Sequence, residues 1–279
     1  EYDKVTSSYI SKYSFQGVDG SNPLGSLILA ANGKFYGMTP TGGANGTGVI
    51  FEYDNNSNSY SVKFDFNGST GGNPLGSLKE ASNGLLYGMT STGGTSNVGT
   101  IFEFDIAAGT CTKRFDFNGT NGSSPNGSLM EGGNGRLYGM TTYGGTNNAG
   151  VLFEFEDTLG TYTKKFDFGG ANGANPYGTP IDVNGKLYGM TNLGGSSNKG
   201  VLWQYTYQDT LLPPTYSVKQ NFNGANGRFP YGDLFQAFNG KVYGMTSDGG
   251  LYGGGILFEY NAVSNTFSSS FSFDLPQGG

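Results

Sequence analysis

The chain has 279 residues, of which 51 are glycine and 15% are aromatic. This composition excludes a disordered linker, and it excludes collagen, which needs glycine at every third position. The formal net charge is −6 and the 15 Lys and Arg residues are dispersed along the chain, never more than two together, so we expect no nucleic-acid partner. No apolar run approaches the roughly 20 residues of a transmembrane helix, and we expect no membrane insertion.

The tetrapeptide Tyr-Gly-Met-Thr occurs five times, and each copy is followed two residues later by Gly-Gly. The copies begin at Tyr36, Tyr87, Tyr138, Tyr188 and Tyr243. Successive copies are 50 to 55 residues apart, which is typical of one four-stranded blade of a β-propeller.

Each unit contains four short segments that favour strands. The first three are represented by residues 76–81 (GSLKEA), 85–90 (LLYGMT) and 99–105 (GTIFEFD). The fourth is represented by residues 60–66 (YSVKFDF) of the preceding unit. The segments are rich in aromatic and β-branched residues and are bounded by Gly, Asn, Ser and Pro, which favours strand over helix.

An Asn-Gly dipeptide joins the first two segments in every unit. The five copies are Asn32-Gly33, Asn83-Gly84, Asn134-Gly135, Asn184-Gly185 and Asn239-Gly240. Both residues tolerate positive φ, so the dipeptide predicts a type I′ hairpin in each unit.

The fourth segment alternates, with Tyr60, Val62, Phe64 and Phe66 predicted to point one way. Such a half-buried strand with charge on its outer side suits the rim of a blade. This pattern occurs six times, at 9–15, 60–66, 111–117, 162–168, 216–222 and 267–273. Since the other three segments occur five times, one terminal rim strand is surplus.

We therefore predict an all-β fold, a five-bladed β-propeller of four-stranded antiparallel blades with one surplus terminal strand. A single domain covers residues 1–279, with units at 16–66, 67–117, 118–168, 169–222 and 223–273 and the extra rim strand at 9–15. If the N-terminal strand closes the last blade, the strand at 267–273 is displaced, and if the last blade keeps its own strand, the one at 9–15 is free. The surplus strand either folds over its own domain or pairs with a blade edge of the next molecule, which would propagate into a filament.

The repeat resembles a known family. Units of the form Leu-Tyr-Gly-Met-Thr, then Gly-Gly, then Gly-Val/Thr-Leu/Ile-Phe-Glu are similar to the GloVer tandem repeats of secreted and surface-anchored proteins from Bacteroidota-type bacteria. The resemblance covers essentially the whole chain. It implies an exported, β-propeller-like array at the cell surface and brings no catalytic residues to transfer.

The sequence favours a scaffold over an active site. Histidine, the commonest general base and metal ligand, is absent. Carboxylates recur by symmetry at Glu52, Glu103, Glu154 and Glu259 and at Asp65, Asp116 and Asp167. Cys111 and Trp203 occupy positions that are aromatic in other units, so we expect core residues there. No catalytic residue, metal site or cofactor is predicted.

Departures from the repeat are the better indications of a ligand site. The Gly-Gly loops differ most, and Tyr143, Asp248 and Tyr252 are the candidate ligand-binding residues, because exposed aromatics beside carboxylates stack on and hydrogen-bond sugars. The Asp-Thr-Leu motifs at Asp157 and Asp209 resemble an O-glycosylation sequon of Bacteroidota-type bacteria. That resemblance implies glycans on Thr158 and Thr210.

Three functional hypotheses follow. The leading one is a non-catalytic extracellular repeat protein that acts in surface assembly or adhesion and self-associates into filaments by strand addition. The alternative is a lectin-like carbohydrate binder that uses its variable loops. The third is a polysaccharide-active enzyme, which would need two carboxylates facing each other across a bound sugar.

Overall fold

A computed structural model describes residues 1–207 and 213–274, and these residues are almost entirely β-structure. They form five four-stranded antiparallel sheets and one two-stranded sheet. One short 3₁₀ helix (Gly170–Asn172) lies in a connection between sheets. The prediction of an all-β fold built from four-stranded antiparallel units is confirmed.

The strands follow the repeat. The two-stranded sheet pairs β1 (Tyr2–Asp3) with β2 (Ser8–Tyr9). Sheet 1 contains β3 (Ile28–Leu29), β4 (Phe35–Thr39), β5 (Val49–Asp54) and β6 (Ser59–Asp65). Sheet 2 contains β7 (Lys79–Glu80), β8 (Leu86–Thr90), β9 (Thr100–Asp105) and β10 (Thr110–Asp116). Sheet 3 contains β11 (Met130–Glu131), β12 (Leu137–Thr141), β13 (Val151–Glu156) and β14 (Thr161–Asp167).

The last two sheets have the same order. Sheet 4 contains β15 (Ile181–Asp182), β16 (Lys186–Thr191), β17 (Val201–Thr206) and β18 (Thr215–Asn221). Sheet 5 contains β19 (Phe235–Gln236), β20 (Val242–Met245), β21 (Gly253–Asn261) and β22 (Thr266–Asp274). In every sheet the strands are hydrogen-bonded in chain order, so each repeat unit forms one antiparallel meander.

The recurring tetrapeptide lies on the second strand of each sheet, where each of its residues has a defined partner. In sheet 3 the hydroxyl of Tyr138 donates to Glu154 at 2.7 Å, and Met140 is buried against the next sheet. A Cβ on Gly139 would overlap with the ring of Phe153 on the neighbouring strand. The hydroxyl of Thr141 donates to the carbonyl of Tyr143 at 2.8 Å. The five copies are therefore explained by local packing.

The fourth strand departs from the predicted alternation. Its pairing with the third strand shifts register at a β-bulge, which in sheet 3 leaves Lys165 unpaired between Lys164 and Phe166. The bulge adds one residue and turns the remainder of the strand over. Tyr162 consequently packs on the preceding sheet and Phe166 on the following one. The expectation that all four apolar residues of this strand share one face is wrong.

The Asn-Gly turns are of two kinds. In sheet 1 the amide of Gly33 donates to the carbonyl of Ala30 at 2.9 Å, the amide of Ala30 donates to the carbonyl of Lys34 at 2.9 Å, and Asn32 keeps a negative φ. This pattern is a type I turn followed by a bulge at glycine. Sheets 2, 3 and 5 repeat it. The type I′ prediction holds only at Asn184, whose φ is 54°, because that loop is one residue shorter.

The core lies between consecutive sheets. We call the side of a sheet that contacts the next sheet in the chain its forward face, and the opposite side its backward face. At the first interface Tyr36, Met38 and Ile50 on the forward face of sheet 1 form one buried cluster with Leu78 and Phe102 on the backward face of sheet 2. Equivalent clusters bury the next three interfaces.

The prediction of a rim strand at residues 9–15 is wrong. The only part of this N-terminal segment in a strand is Tyr9, which pairs with Tyr2 and not with any of the four-stranded sheets. Tyr13 stacks on Tyr60 with ring centroids 3.8 Å apart, and Phe15 contacts Phe51 at 5.4 Å. Because these rings gain apolar contact with the backward face of sheet 1, the segment packs there without completing a sheet.

Candidate functional site

The repeated glutamates belong to a polar network at one end of each sheet. In sheet 1 the hydroxyl of Tyr36 donates to Glu52 at 2.5 Å, and Glu52 also lies 2.9 Å from Lys34 and 3.2 Å from Lys63. Burial alone would raise the pKa of the Glu52 carboxyl, but the hydrogen bonds from Tyr36, Lys34 and Lys63 bring it below its ordinary value. A carboxylate held in this way is a structural anion and not a poised acid.

The other glutamates have the same kind of surroundings. The closest cation to each is Arg114 for Glu103, Lys165 for Glu154 and Lys241 for Glu259, at 2.6, 3.1 and 2.7 Å. Gln204 replaces the carboxylate in sheet 4 and still accepts a hydrogen bond from Tyr188 at 3.1 Å. Because an amide serves equally well in one unit, the charge at this position is not required for the network itself.

The repeated aspartates hold the Gly-Gly loops. The carboxylate of Asp65 accepts the backbone N–H of Ala44 at 2.6 Å, and that of Asp167 accepts the N–H of Thr146 at 2.8 Å. Asn221 does the same for Ser196 in sheet 4. These side chains fix the loop between the second and third strands in each unit.

Cys111 and Trp203 are both part of the packing between sheets. Burial raises the pKa of the Cys111 thiol to about 12, so it is a poor nucleophile near neutral pH. The Trp203 ring is fully buried between Phe168 and Tyr216. Within residues 1–207 and 213–274 no group of three or more His, Cys, Asp or Glu side chains could hold a metal ion.

Tyr143, the first predicted ligand residue, lies in a cluster of three tyrosines. Its hydroxyl is 3.4 Å from that of Tyr177, and the Tyr177 ring centroid is 5.0 Å from that of Tyr231. Tyr143 is 42% exposed and Tyr231 is 53% exposed. The hydrogen bond with Tyr143 and partial burial raise the pKa of Tyr177 to about 12. We call these three residues the tyrosine cluster.

Sequence reasoning missed Tyr177 and Tyr231. Both directly follow a proline in the connection that leads into a new sheet, at a position held by Leu24, Leu75 and Asn126 in the other units. Backbone bridges such as Ser123 to Tyr143 join this connection to the Gly-Gly loop of the same unit. The two variable segments therefore lie at the same end of the sheets, a relation that comparison of aligned repeats could have indicated.

The other two predicted ligand residues do not join that cluster. Asp248 forms an ion pair with Arg228 at 2.9 Å, and the Arg228 guanidinium lies 5.6 Å from the centre of the Phe229 ring. Tyr252 is exposed in the next part of the same loop. Among the described residues no hydrogen bond or ring contact links Asp248 or Tyr252 to Tyr143.

The two predicted glycosylation sites differ in what the structure describes. Thr158 is exposed in the turn between β13 and β14. The preceding Asp157 is buried, accepts a hydrogen bond from Asn83 at 2.7 Å and contacts Arg114 through its carbonyl. Thr210 lies outside the described residues. Modification of either threonine stays a prediction.

The first and last sheets of the array have unmatched faces. Met245, on the forward face of sheet 5, is 57% exposed, whereas its four equivalents are at most 4% exposed. Leu27, on the backward face of sheet 1, is 52% exposed, whereas Leu78 and Leu129 are each 3% exposed. In the part of the chain that the structure describes, sheet 5 and sheet 1 do not repeat the contact that joins all other neighbours. We call these surfaces the two end faces.

The sheet architecture and the repeat agree with a known family. The Gloeobacter/Verrucomicrobia repeat model matches residues 1–136 and 117–279. The chain belongs to this family. The resemblance to GloVer repeats is therefore confirmed over the whole length. A search of curated proteins found no match.

Several solved structures are similar in fold to this chain. A putative 6-phosphogluconolactonase from Bacteroides fragilis is 14% identical, with a TM-score of 0.59 over 99% of this chain and 78% of that one. A second, from Bacteroides uniformis, is 13% identical, with a TM-score of 0.59 over 93% of this chain and 74% of that one. At this identity the similarity shows an all-β, propeller-like fold and nothing about activity.

Larger proteins contain a similar array. TolB from Acinetobacter baumannii is 13% identical with a TM-score of 0.51, and the match covers 84% of this chain and 50% of that one. The tricorn protease is 12% identical with a TM-score of 0.51, and the match covers 100% of this chain and 25% of that one. The chain thus spans half and a quarter of these two proteins. Among the described residues no helix is long and apolar enough to cross a membrane.

Proposed function

We propose that this protein is a non-catalytic extracellular repeat module that builds or joins assemblies at the cell surface, with a second copy of itself as its main partner. The observation that carries the proposal is the pair of exposed, apolar end faces. Burial of apolar surface is the main driving force of protein association. Large exposed apolar patches on soluble proteins commonly mark interaction sites.

The finer architecture is part of this proposal. We take the five four-stranded sheets as five consecutive blades of a propeller-type array, with the end faces at its first and last blade. Packing of one end face on another favours association through sheet faces over the strand addition expected from the sequence. The N-terminal segment supports this choice. Because Tyr13 and Phe15 are packed on sheet 1 of their own chain, the segment is not free to add as a strand to another molecule.

A non-catalytic role is supported by the repeated carboxylates. Each glutamate of the tetrapeptide network is paired with a lysine or an arginine, and the aspartates hold loop backbone. A glycosidase-type mechanism needs one carboxylic acid with a raised pKa opposite a second carboxylate. Burial raises the pKa of Glu52, but the hydrogen bonds from Tyr36, Lys34 and Lys63 outweigh it, so the net shift is downward.

Labelling of intact cells tests the proposed location and role. Antibodies against the chain should label unpermeabilised cells of the source organism, and negative-stain microscopy of a surface extract should show labelled assemblies. Antibodies against a cytoplasmic protein serve as the control for cell integrity. Label that appears only after permeabilisation would refute the surface role.

The tyrosine cluster favours carbohydrate binding as a second candidate function. Three tyrosines from consecutive units lie together, Tyr143 and Tyr231 exposed and Tyr177 partly buried between them, and their hydroxyls supply polar contacts beside the apolar surface. This combination suits a saccharide, whose C–H faces stack on aromatic rings while its hydroxyls form hydrogen bonds. Bacterial and plant glycans are the ligands to examine.

A glycan array with matched variants tests this second candidate. Binding that is lost in Tyr177→Ala and in Tyr231→Ala, and kept in Tyr252→Ala, would place the site at the tyrosine cluster. Tyr252 is a suitable control because it is equally exposed and lies in the loop of sheet 5. If no glycan binds, or if every glycan binds all three variants alike, the carbohydrate hypothesis is wrong.

A further inference from the structure

We propose that the end face of sheet 5 in one copy docks on the end face of sheet 1 in the next copy and reproduces the part of the interface between consecutive sheets that the N-terminal segment leaves open. The proposal rests on the proposed function in self-association and adds the surface, the register and the partner. The chain itself supplies the template, because the same contact is built four times between its own sheets.

A ladder of hydrogen bonds defines the register of each internal interface. The N–H at the start of one unit donates to a side-chain oxygen at the same position of the next unit. The pairs are Ser26 to Ser77 at 2.7 Å, Ser77 to Ser128 at 2.7 Å, Ser128 to Thr179 at 2.9 Å and Thr179 to Asp233 at 2.6 Å. The ladder ends with the Asp233 N–H as donor and begins with the Ser26 hydroxyl as acceptor. In the docked pair these two groups meet.

Close backbone approach accompanies this ladder. A Cβ placed on Gly25, Gly76, Gly127 or Gly178 would overlap with the carbonyl of the equivalent glycine in the next unit. Gly232 occupies the same position in sheet 5 and has no described atom within 4 Å. Because Gly232 has no side chain, the backbone of another copy can approach it closely. In the docked pair it faces Gly25 of the next copy.

The apolar parts of the two end faces are also complementary. The backward face of sheet 1 and the N-terminal segment together line an open groove of about 600 Å³. Tyr9 and Lys12 are among the residues on the side of the N-terminal segment, and Leu27, Phe35 and Tyr53 line the groove on the sheet side. At the internal interfaces the residues equivalent to these three pack against a tyrosine, a methionine and an aliphatic side chain of the preceding sheet. Sheet 5 presents Tyr243, Met245 and Leu257 at those positions, with Met245 57% exposed.

The N-terminal segment limits how completely the template is reproduced. Tyr13 and Phe15 hold the places that Phe115 and Phe117 take on the backward face of sheet 3, with centroid distances of 3.8 and 5.4 Å against 4.2 and 5.5 Å. Phe271 and Phe273 of a docked copy would need the same places. The rings of Tyr13 and Phe15 also line the groove, so in the docked pair Phe271 and Phe273 lie outside it, and the contact consists of the glycine ladder and the rest of the groove.

The resulting contact joins two different surfaces of the same molecule. Such a heterologous contact leaves one free end face of each kind on every dimer, so further copies add until the rotation closes a ring or a filament forms. Each contact uses one end face of each kind. A copy with one altered end face should therefore still dimerise with an unaltered copy through its other end face, but no further copy can add to the altered face.

Disulfide trapping between two different variants tests the register. One preparation carries Met245→Cys and the other carries Leu27→Cys, since both side chains are exposed on the end faces and their equivalents Met38 and Leu78 share one buried cluster. The native Cys111 is partly buried. Mixing the two under mild oxidation should give a covalent dimer that contains one copy of each. The matched control replaces Met245→Cys by Val263→Cys, which is 94% exposed in the turn of the same sheet. Equal trapping by the control pair would overturn the proposed register.

Gly232→Ala provides a second readout that separates docking from folding. The monomer has room for this methyl group, so the melting temperature should be unchanged, while self-association measured by light scattering should weaken about tenfold because the interface is overpacked. If the wild-type chain associates and Gly232→Ala associates equally, the proposed surface is wrong and the assembly function stands. If the wild-type chain shows no association at any concentration, both are wrong.

Discussion

At the scale of single residues, the same Asn-Gly dipeptide forms two different types of turn. Asn134 and Asn184 are both followed by glycine and both precede a Leu-Tyr-Gly-Met-Thr strand. Asn134 lies in a type I turn, where its amide donates to Tyr138 at 2.9 Å, whereas Asn184 has a φ of 54° and forms the type I′ turn. The one-residue difference in loop length decides the turn type, and propensity alone could not.

This difference predicts opposite responses to substitution. Asn184→Ala should lower the free energy of unfolding by about 1 kcal/mol, because alanine resists the left-handed region, and Asn184→Gly should restore it. Asn134→Gly should not be neutral, since it removes the hydrogen bond to Tyr138. Urea denaturation of the three variants measures this. Equal stabilities of Asn184→Ala and Asn184→Gly would contradict the assigned turn.

The buried phenols of the tetrapeptide predict an alkaline transition. Burial, with a smaller contribution from Glu52, raises the pKa of Tyr36 to about 12, and burial likewise raises those of Tyr87 and Tyr188 to about 12. A raised folded-state pKa gives stability that is fully present below the ordinary value of 10.0 and is lost as the pH rises toward 12.

Two measurements follow this transition. The free energy of unfolding should be constant from pH 8 to about 9.5 and should fall steeply above about pH 10. Absorbance near 295 nm should show a late group of phenols that ionise as the protein unfolds. Ionisation of all 19 tyrosines near pH 10 without loss of structure would show that the phenols are not shielded.

At the scale of strands and sheets, the bulge of the fourth strand explains how neighbouring units interlock. The strand presents Tyr162 to the preceding sheet and Phe166 to the following one. The residue pattern predicts strict alternation because every second residue is apolar. Pairing with the third strand overrides it, since the bulge lets one strand fill both interfaces. A pattern within one strand carries no information about such a shift.

The spacing between sheets depends on small residues, which the equivalent glycines can test. Gly127→Ala should lower the free energy of unfolding by roughly 2 kcal/mol, because the added methyl group would overlap with the carbonyl of Gly178. Gly232→Ala, at the same position of sheet 5, should change the stability by less than about 0.5 kcal/mol. Thermal melts of the two variants compare them directly. A similar loss in both would mean that backbone conformation, and not the sheet contact, requires glycine here.

At the scale of the whole molecule, the repeat predicted what is common to the units and missed what distinguishes them. Five strand sets spaced by about 50 residues predicted five four-stranded sheets, because each unit repeats the same local signals. The packing of Tyr13 and Phe15, the tyrosine cluster and the end faces all depend on contacts between units. Sequence periodicity reports such contacts only where they recur, so the exceptional ones at Tyr177 or Met245 were not visible.

Sedimentation velocity of the full chain over a range of concentrations tests the central claim that end faces drive self-association. The wild-type chain should show a sedimentation coefficient that rises with concentration. Met245→Asp should remain a folded monomer, because docking would bury an unpaired carboxylate, and Val263→Asp should behave as the wild type. A wild-type chain that sediments as the 29.3 kDa monomer at every concentration would contradict the account.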